Sequence, residues 1–182
     1  MKINYIKTNF FSLLILVLFV LFNQEIFSQE KETDSGYRDS VITAAREIIN
    51  SVKYCALITI DSVGCADIRT MNPFPPEDDM TVWMATNSRS RKYTEIKKNP
   101  NVTLYYANHS KADGYVTIKG KAVLIDDMAE KLKRKRDYWD QSFPDWKYLV
   151  LIKVIPERLE VINYKRKFYN RDITWKVPSI DF

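Results

Sequence analysis

The segment Thr86 to Lys92, with the sequence Thr-Asn-Ser-Arg-Ser-Arg-Lys, combines hydroxyl and cationic side chains that could bind an anion. The preceding run Met80 to Thr86 is rich in β-branched and aromatic residues and predicts a strand, whereas Ser90 to Asn99 predicts a short helix that ends before Pro100. A helix start presents unpaired N–H groups and the positive end of the macrodipole, so cationic residues there are unfavourable unless an anion compensates them. The junction therefore predicts a phosphate site. The alternative is an ordinary helix start, with Ser88 or Ser90 as the N-cap and the basic side chains in solvent.

The elements around this junction predict a sheet with few helices. The predicted strands are Tyr54–Asp61, Cys65–Met71, Met80–Thr86, Asn101–Ala107, Tyr115–Ile125, Lys147–Ile155 and Glu157–Tyr164, and the predicted helices are Tyr37–Ser51, Ser90–Asn99 and Asp126–Trp139. The segment from Asn72 to Asp79 contains three prolines and is expected to be a loop. Most consecutive strands are joined by short turns, which indicates an antiparallel sheet that closes or nearly closes into a small barrel. The fold class is therefore mainly β with flanking helices.

The N-terminal segment has the pattern of a secretory signal peptide. Lys2 and Lys7 precede a 13-residue apolar run, Phe10 to Phe22, which is shorter than the roughly 20 residues that a membrane-spanning helix needs. We expect residues 1–28 to be cleaved, leaving residues 29–182 as one exported, periplasmic domain with a loose segment at 29–36. An uncleaved N-terminal anchor is the alternative.

Charge and composition limit the classes of ligand. The 182 residues include 28 Lys and Arg against 23 Asp and Glu, a net charge of +5, and this mild excess suits an anionic ligand without indicating nucleic acid. The basic run Lys131 to Arg136 is interpreted as a solvated face, and Asp78 and Asp79 as a turn rather than a metal site. His109, the only histidine, is interpreted as a surface loop residue, with haem ligation as the alternative.

The two cysteines, Cys55 and Cys65, fall on predicted neighbouring strands. A tight turn over Asp61 to Gly64 would pair Cys65 with Ile60 and Cys55 with Thr70, so the sulfur atoms would not meet. We expect two buried free thiols rather than a disulfide.

Five short motifs occur together in a specific order: Arg69-Thr70-Met71, Ala85-Thr86-Asn87, Ser90-Arg91-Lys92, Asn99-Pro100 and Gly120-Lys121-Ala122. Their order and spacing resemble the FMN-binding split-barrel family, which includes pyridoxamine 5'-phosphate oxidase and the smaller general stress protein 26-like proteins. The resemblance covers Tyr54 to Ile125 most strongly and implies an antiparallel split β-barrel. We also expect the strand that carries Arg69 to pair with the strand Met80–Thr86.

The resemblance implies FMN as the cofactor and a role for each matching residue. Arg69, Ser90, Arg91 and Lys92 would hold the phosphate, and Thr70 and Met71 would continue along the cofactor through main-chain contacts. Ala85 and Thr86 would line the ribityl and phosphate side. Tyr115 stands where the oxidase has a glutamine that touches the flavin ring. The family binds FMN between two subunits, which implies a homodimer.

Departures from the oxidase pattern limit the implied activity. Phe74 stands where the oxidase has a substrate-binding lysine, and Trp175-Lys176 is all that matches its C-terminal motif. The general stress protein 26-like branch is therefore the closer likeness, and oxidation of pyridoxamine phosphate itself is not expected. The resulting hypothesis is a flavin-dependent oxidoreductase that acts on a small molecule, with no residue assigned as catalytic. The alternative is a non-catalytic carrier of a flavin or of haem.

Overall fold

The computed structural model describes residues 35–169 and 175–182. The predicted signal peptide, residues 29–34 of the predicted loose segment and the tail residues Ile173 and Thr174 lie outside the described residues. Helix α1 covers residues 35–50, where the sequence predicted 37–51, so residues 35 and 36 are helical rather than loose. The described residues fall into two units, of which the first contributes residues 35–40 and the second, from residue 41 onward, contains the sheet. Within residues 35–40, the Ser40 hydroxyl donates to the carbonyl of Gly36 at 2.8 Å.

The second unit is built on one antiparallel sheet, as the sequence predicted. The seven described strands are β1 Cys55–Ile60, β2 Ala66–Met71, β3 Val82–Asn87, β4 Asn101–Ala107, β5 Gly114–Ile125, β6 Leu149–Asn163 and β7 Ser179–Asp181. Their order is β2-β1-β4-β5-β6-β3, and β7 pairs with β6. No helix of the described part of the chain has both the length and the apolar character needed to cross a membrane.

The hairpin of β1 and β2 forms as predicted, but its register is shifted by one residue. Cys55 pairs with Met71 and Ile60 with Ala66, whereas the predicted partners were Thr70 and Cys65. The reason is the side chain of Asp61, which accepts hydrogen bonds from the N–H groups of Val63 and Cys65 at 2.9 and 2.8 Å and holds a longer turn. Both thiols are free, but only Cys55 is buried, so the expectation of two buried thiols was wrong for Cys65.

Strand β6 is one continuous strand of 15 residues, although the sequence predicted two strands that meet near Pro156. Pro156 pairs with Gly120 of β5, at a point where the register shifts. A Cβ atom on Gly120 would lie 2.0 Å from the carbonyl oxygen of Ile155. The glycine thus lets the two backbones approach closely, and the irregularity accommodates a proline that cannot donate to the ladder.

The main core lies between the inner face of the sheet and two helices. Alternate residues of each strand point inward, as the buried Leu57, Leu104 and Ile118 illustrate. The apolar face of α1 joins this core through Val41, Ala44, Ala45, Ile48 and Ile49. The buried Ile96 attaches the second helix, α2 Arg91–Lys98, to the same core.

A second apolar cluster packs on the other face of β3 and β6. Its buried members are Trp83, Trp139, Leu149 and Leu151. Two short helices, α3 Met128–Lys133 and α4 Trp139–Ser142, replace the single predicted helix Asp126–Trp139, and a 3-10 turn at Trp146–Tyr148 follows them where the predicted strand Lys147–Ile155 was to begin. Between α3 and α4 the chain is not helical, and there Arg134 stacks 3.6 Å from the Trp83 ring and Arg136 stacks 3.9 Å from the Phe74 ring.

Candidate functional site

The start of α2 has the features expected of an anion site. Ser90 is the N-cap, yet among the described residues its side chain makes no capping hydrogen bond. Its hydroxyl oxygen lies 3.1 Å from that of Thr86, at the end of β3. The first turn has no acidic residue, whereas Lys97 and Lys98 occupy the last turn. No acidic side chain of the first turn therefore compensates the N-terminal N–H groups and the positive end of the dipole.

Arg69 reaches α2 by a route that the sequence did not predict. Within the described sheet, β2 and β3 are the two ends of the strand order and do not pair, so the expected pairing was wrong. Arg69 instead projects from the inner face of β2 and donates to Thr59 Oγ1 at 2.5 Å and to Glu95 Oε2 at 3.0 Å. Thr59 lies on β1 and Glu95 in the middle of α2, so the guanidinium group is tied to the neighbouring strand and to the helix rather than to β3.

Glu95 is a buried carboxylate at the centre of this arrangement, with 8% of the residue exposed. Burial would raise its pKa, but the hydrogen bond with Thr59, together with the charge and hydrogen bond of Arg69, outweighs burial and holds the pKa below its ordinary value. The structure therefore stabilises the ionised form of Glu95.

Lys92 lies half-buried near Arg69. Burial and the positive charge of Arg69 lower the pKa of the Lys92 ammonium group, and Glu95 acts in the opposite direction. A second negative charge placed beside Lys92 and Arg69 would relieve this repulsion. The pair is thus suited to an anionic ligand.

Asp67 connects the remaining cation to the group. Its Oδ2 atom lies 3.0 Å from Arg91 Nη2 and 3.3 Å from Arg69 Nη2. Two carboxylates, Asp67 and Glu95, thus neutralise part of the charge of the three cations Arg69, Arg91 and Lys92. The group keeps a net charge of +1.

A polar cleft of about 630 Å³ opens beside this group, between the β1–β2 turn and the exposed side of α2. The lining residues relevant to anion binding are Asp67, Arg89, Ser90, Arg91 and Glu95. The guanidinium group of Arg89 stacks 3.6 Å from the ring of Tyr148, which fixes it at the margin of the cleft. The cleft offers room for a polar ligand next to the start of α2.

The other predicted residues lie apart from this group. Thr70 is exposed on the outer face of β2, and Met71 faces the main core. Ala85 packs against the second apolar cluster, whereas the adjacent Thr86 is buried at the start of the junction. The structure thus brings together Arg69, Thr86, Ser90, Arg91 and Lys92, and it separates Thr70, Met71, Ala85 and Tyr115 from them.

Tyr115 lies on the outer face of the sheet, opposite to the face of Arg69. It is paired with Ala107 and Ile162, and its ring centroid lies 5.8 Å from that of Tyr105. The ring of Tyr105 also stacks on His109 at 6.0 Å. Burial raises the pKa of the Tyr115 hydroxyl, with a smaller contribution from the charge of Glu160, so this hydroxyl stays protonated and able to donate.

Three residues that complete the group were missed from the sequence: Thr59, Asp67 and Glu95. Asp67 lies two residues before Arg69 on one strand, so period-two alternation would have placed both on one face. Glu95 lies four residues after Arg91 on a helix, which is the spacing of an ion pair. Thr59 gave no comparable signal.

The basic run Lys131 to Arg136 was predicted to be a solvated face, and this was wrong for several of its members. Lys131 is buried and paired with Asp126. Arg134 pairs with Glu77 and Glu130 in addition to its stacking on Trp83. These side chains anchor the segment to the sheet.

Part of the chain is similar in sequence to known proteins. Residues 41–166 match the family model for proteins like pyridoxamine 5'-phosphate oxidase. General stress protein 26 of Bacillus subtilis (strain 168) is 30% identical over 129 residues, which cover 66% of this chain and 87% of that protein.

Solved structures share the fold. A protein related to general stress protein 26 from Clostridium acetobutylicum superposes with a TM-score of 0.63 at 19% identity, over 78% of this chain and 94% of that one. An FMN-binding protein related to pyridoxamine 5'-phosphate oxidase from Nostoc punctiforme gives a TM-score of 0.50 at 16% identity, over 81% and 95%. A haem-binding protein from Mycobacterium smegmatis gives 0.57 at 13% identity, over 76% and 56%.

Proposed function

The chain belongs to the pyridoxamine 5'-phosphate oxidase-like family, and we propose that it is an FMN-binding oxidoreductase of that family. The observation that carries the proposal is that Arg69, from β2, lies close enough to Lys92, in the uncapped first turn of α2, for its charge to lower the pKa of the ammonium group. A phosphate group matches these donors because it is doubly negative and accepts several hydrogen bonds. Ser90 and Arg91 complete the proposed phosphate site.

FMN, when bound, would supply the electron-transfer chemistry, and the protein would bind and orient it. No side chain of the group is proposed as a general acid or base, since each charged member is engaged in an ion pair or in the proposed phosphate site. Tyr115 is proposed to donate a hydrogen bond to the flavin ring system, in agreement with its raised pKa.

We propose that two copies of the chain form the complete site. Arg69 lies on the inner face of β2 and Tyr115 on the outer face of β5, so a single chain presents them on opposite sides of the sheet. Two copies that pack with the β2 edge of one against the outer face of the other would allow the Tyr115 of one to approach the cofactor held by the other. The outer face supports this arrangement because Ile68 is 67% exposed there and its partner Ile58 is half-buried.

The proposed substrate is a small organic molecule other than pyridoxamine phosphate. Phe74, at the position of the oxidase lysine, packs edge-on against Trp139 with ring centroids 6.1 Å apart and lies under Arg136. This position therefore supplies packing instead of a cation for a substrate phosphate. We further propose that the protein is exported, as the pattern of residues 1–28 indicates.

Titration of the purified chain from residue 29 onward with FMN, riboflavin and haem tests the proposal. We expect FMN fluorescence to be quenched at micromolar protein, with riboflavin bound much more weakly because it lacks the phosphate. Absence of quenching would refute FMN binding. The haem-carrier alternative predicts a Soret band that is lost in His109→Ala.

A further inference from the structure

The carboxylate of Asp67 lies between two guanidinium groups, in the position that a bound anion would take. Its Oδ2 atom lies 3.0 Å from Arg91 Nη2 and 3.3 Å from Arg69 Nη2. A phosphate oxygen makes the same kind of charge-assisted contacts with paired arginines. The carboxylate of Asp67 thus takes the place of such an oxygen.

The carboxylate of Asp67 limits the N–H donors of Arg69 that a phosphate could use. Its Nη2 atom faces two carboxylates, Glu95 at 3.0 Å and Asp67 at 3.3 Å, and its Nη1 atom donates to Thr59. Both bidentate edges of a guanidinium group include Nη2, one with Nη1 and the other with Nε. As long as both carboxylates remain, Arg69 has no free pair of adjacent donors for a phosphate.

Of the two carboxylates, Asp67 is the one that can leave. The side chain of Glu95 is 9% exposed and also accepts from Thr59 at 2.6 Å, whereas that of Asp67 is 28% exposed on a strand at the end of the sheet order. The side chain of Arg91 is 77% exposed, so it can pair either with Asp67 or with a phosphate. Displacement of Glu95 would leave a buried charge without its partner, which is the more costly change.

We propose that Asp67 is a resident competitor for the anion site, which an incoming phosphate must displace from Arg69 and Arg91 and which thereby sets the affinity for the cofactor phosphate. This inference rests on the proposed FMN site. With Asp67 in place the group has a net charge of +1; neutralising Asp67 raises it to +2, which matches a phosphate dianion. Asp67 thus disfavours weakly bound anions and admits a ligand that supplies further contacts of its own.

Asp67→Asn tests this role, with Asp78→Asn as the matched control, because Asp78 is a fully exposed carboxylate of the β2–β3 loop. Dissociation constants are measured for FMN and riboflavin by fluorescence, and for inorganic phosphate by calorimetry. Asp67→Asn is expected to bind FMN and phosphate about tenfold more tightly than the unaltered chain, because one repulsive charge is removed at short range. Riboflavin binding by this variant and all binding by Asp78→Asn should not change.

Each outcome of these titrations supports or contradicts the proposed role of Asp67. Equal or weaker FMN binding by Asp67→Asn would overturn the inference and would indicate that Asp67 positions Arg69 for binding. If the unaltered chain does not bind FMN, the proposed function fails, and the phosphate titration then tests Asp67 alone: tighter phosphate binding by the variant supports the inference, and no phosphate binding by either protein overturns it. Asp67→Thr, which suits a strand, serves in the same titrations if Asp67→Asn does not fold.

Discussion

Arg69 illustrates how one residue can contribute both to the stability of the fold and to the proposed binding site. Its guanidinium group is held by Thr59 and Glu95, so its position is fixed before any ligand arrives. Such preorganisation limits the entropy lost on binding. The same contacts make Glu95 a structural residue, because its buried charge depends on them.

Replacement of Glu95 by Gln is expected to reduce the free energy of unfolding by about 2 kcal/mol near neutral pH, since it removes a charged partner of a largely buried guanidinium group. The pKa of Glu95 is lowered in the folded state, so the stabilisation by its charge is present above the unfolded-state value of about 4.3 and is lost as the pH falls through the lower folded-state value. Urea unfolding at neutral pH and below about pH 4 should therefore show a difference between the two proteins that shrinks with acid.

Glu157→Gln is the control for this comparison, because Glu157 forms an exposed pair with Lys121 and should contribute at most about 1 kcal/mol. A difference for Glu95→Gln that stays constant across this pH range would show that its charge is not the source of the stability.

At the scale of the elements, the long strand β6 depends on one glycine of its neighbour. Gly120 allows the carbonyl of Ile155 to approach to a distance that any Cβ atom would block. Since β6 carries β3 on its other edge, and β3 leads into α2, the packing at Gly120 bears on the position of the whole site.

Gly120→Ala is therefore expected to reduce the free energy of unfolding by about 2 to 3 kcal/mol, because the added methyl group must separate the two strands. Thermal and urea unfolding measure the change. Gly36→Ala is the control, since an added Cβ there meets nothing within 4 Å, and it should leave stability unchanged or raise it by up to about 1 kcal/mol. Equal effects of the two substitutions would contradict the close approach.

The sequence predicted the elements better than it predicted their pairing. The strand and helix around Thr86 to Lys92 and the antiparallel sheet followed from local composition and were confirmed. The family and its general stress protein 26-like branch, inferred from ordered motifs, were also confirmed. The hairpin register was wrong because it depends on a side-chain hydrogen bond of Asp61, and the pairing of β2 with β3 was wrong because strand order is set by long-range contacts.

The candidate site was predictable only in part for the same reason. Residues next to each other in sequence at the start of α2 stay together in space, so Ser90, Arg91 and Lys92 could be grouped from the sequence. Glu95 and Thr59 reach Arg69 from other elements, and only the fold brings these three side chains into contact. The resulting compensation of charge, with two carboxylates among three cations, had no counterpart in the sequence prediction.

At the scale of the whole molecule, the outer face of the sheet is apolar at one end and charged at the other. Two rows of paired residues show this. One row runs Ile68, Ile58, Thr103, Lys119, Arg158, Asp181, and the other Thr70, Ala56, Tyr105, Thr117, Glu160, Ser179. The apolar end lies on β2 and β1, and the charged end lies on β6 and β7, where Arg158 bonds to both Glu160 and Asp181. An apolar patch with a polar rim suits the proposed contact between two copies.

Ile68→Asp is expected to convert the proposed dimer to a monomer and to weaken FMN binding at least about tenfold, because it places a charge in the centre of an apolar contact. Light scattering after size-exclusion chromatography measures the mass, and fluorescence titration measures the affinity. Leu132→Asp, at a residue of α3 that is 59% exposed, should alter neither. A monomeric unaltered chain that still binds FMN tightly would rule out a shared site.

The central claim is that Arg69 and Lys92 together hold a phosphate at the start of α2, and the ratio of FMN to riboflavin affinity tests it most directly. In the double variant Arg69→Gln/Lys92→Gln, FMN binding should fall about a hundredfold or more, because each charged hydrogen bond contributes about 1.5 to 3 kcal/mol, while riboflavin binding stays the same. Lys97→Gln, in the last turn of the same helix, should behave like the unaltered chain. A decrease in FMN affinity of less than about tenfold, or an equal loss for riboflavin, would contradict a phosphate site at this position.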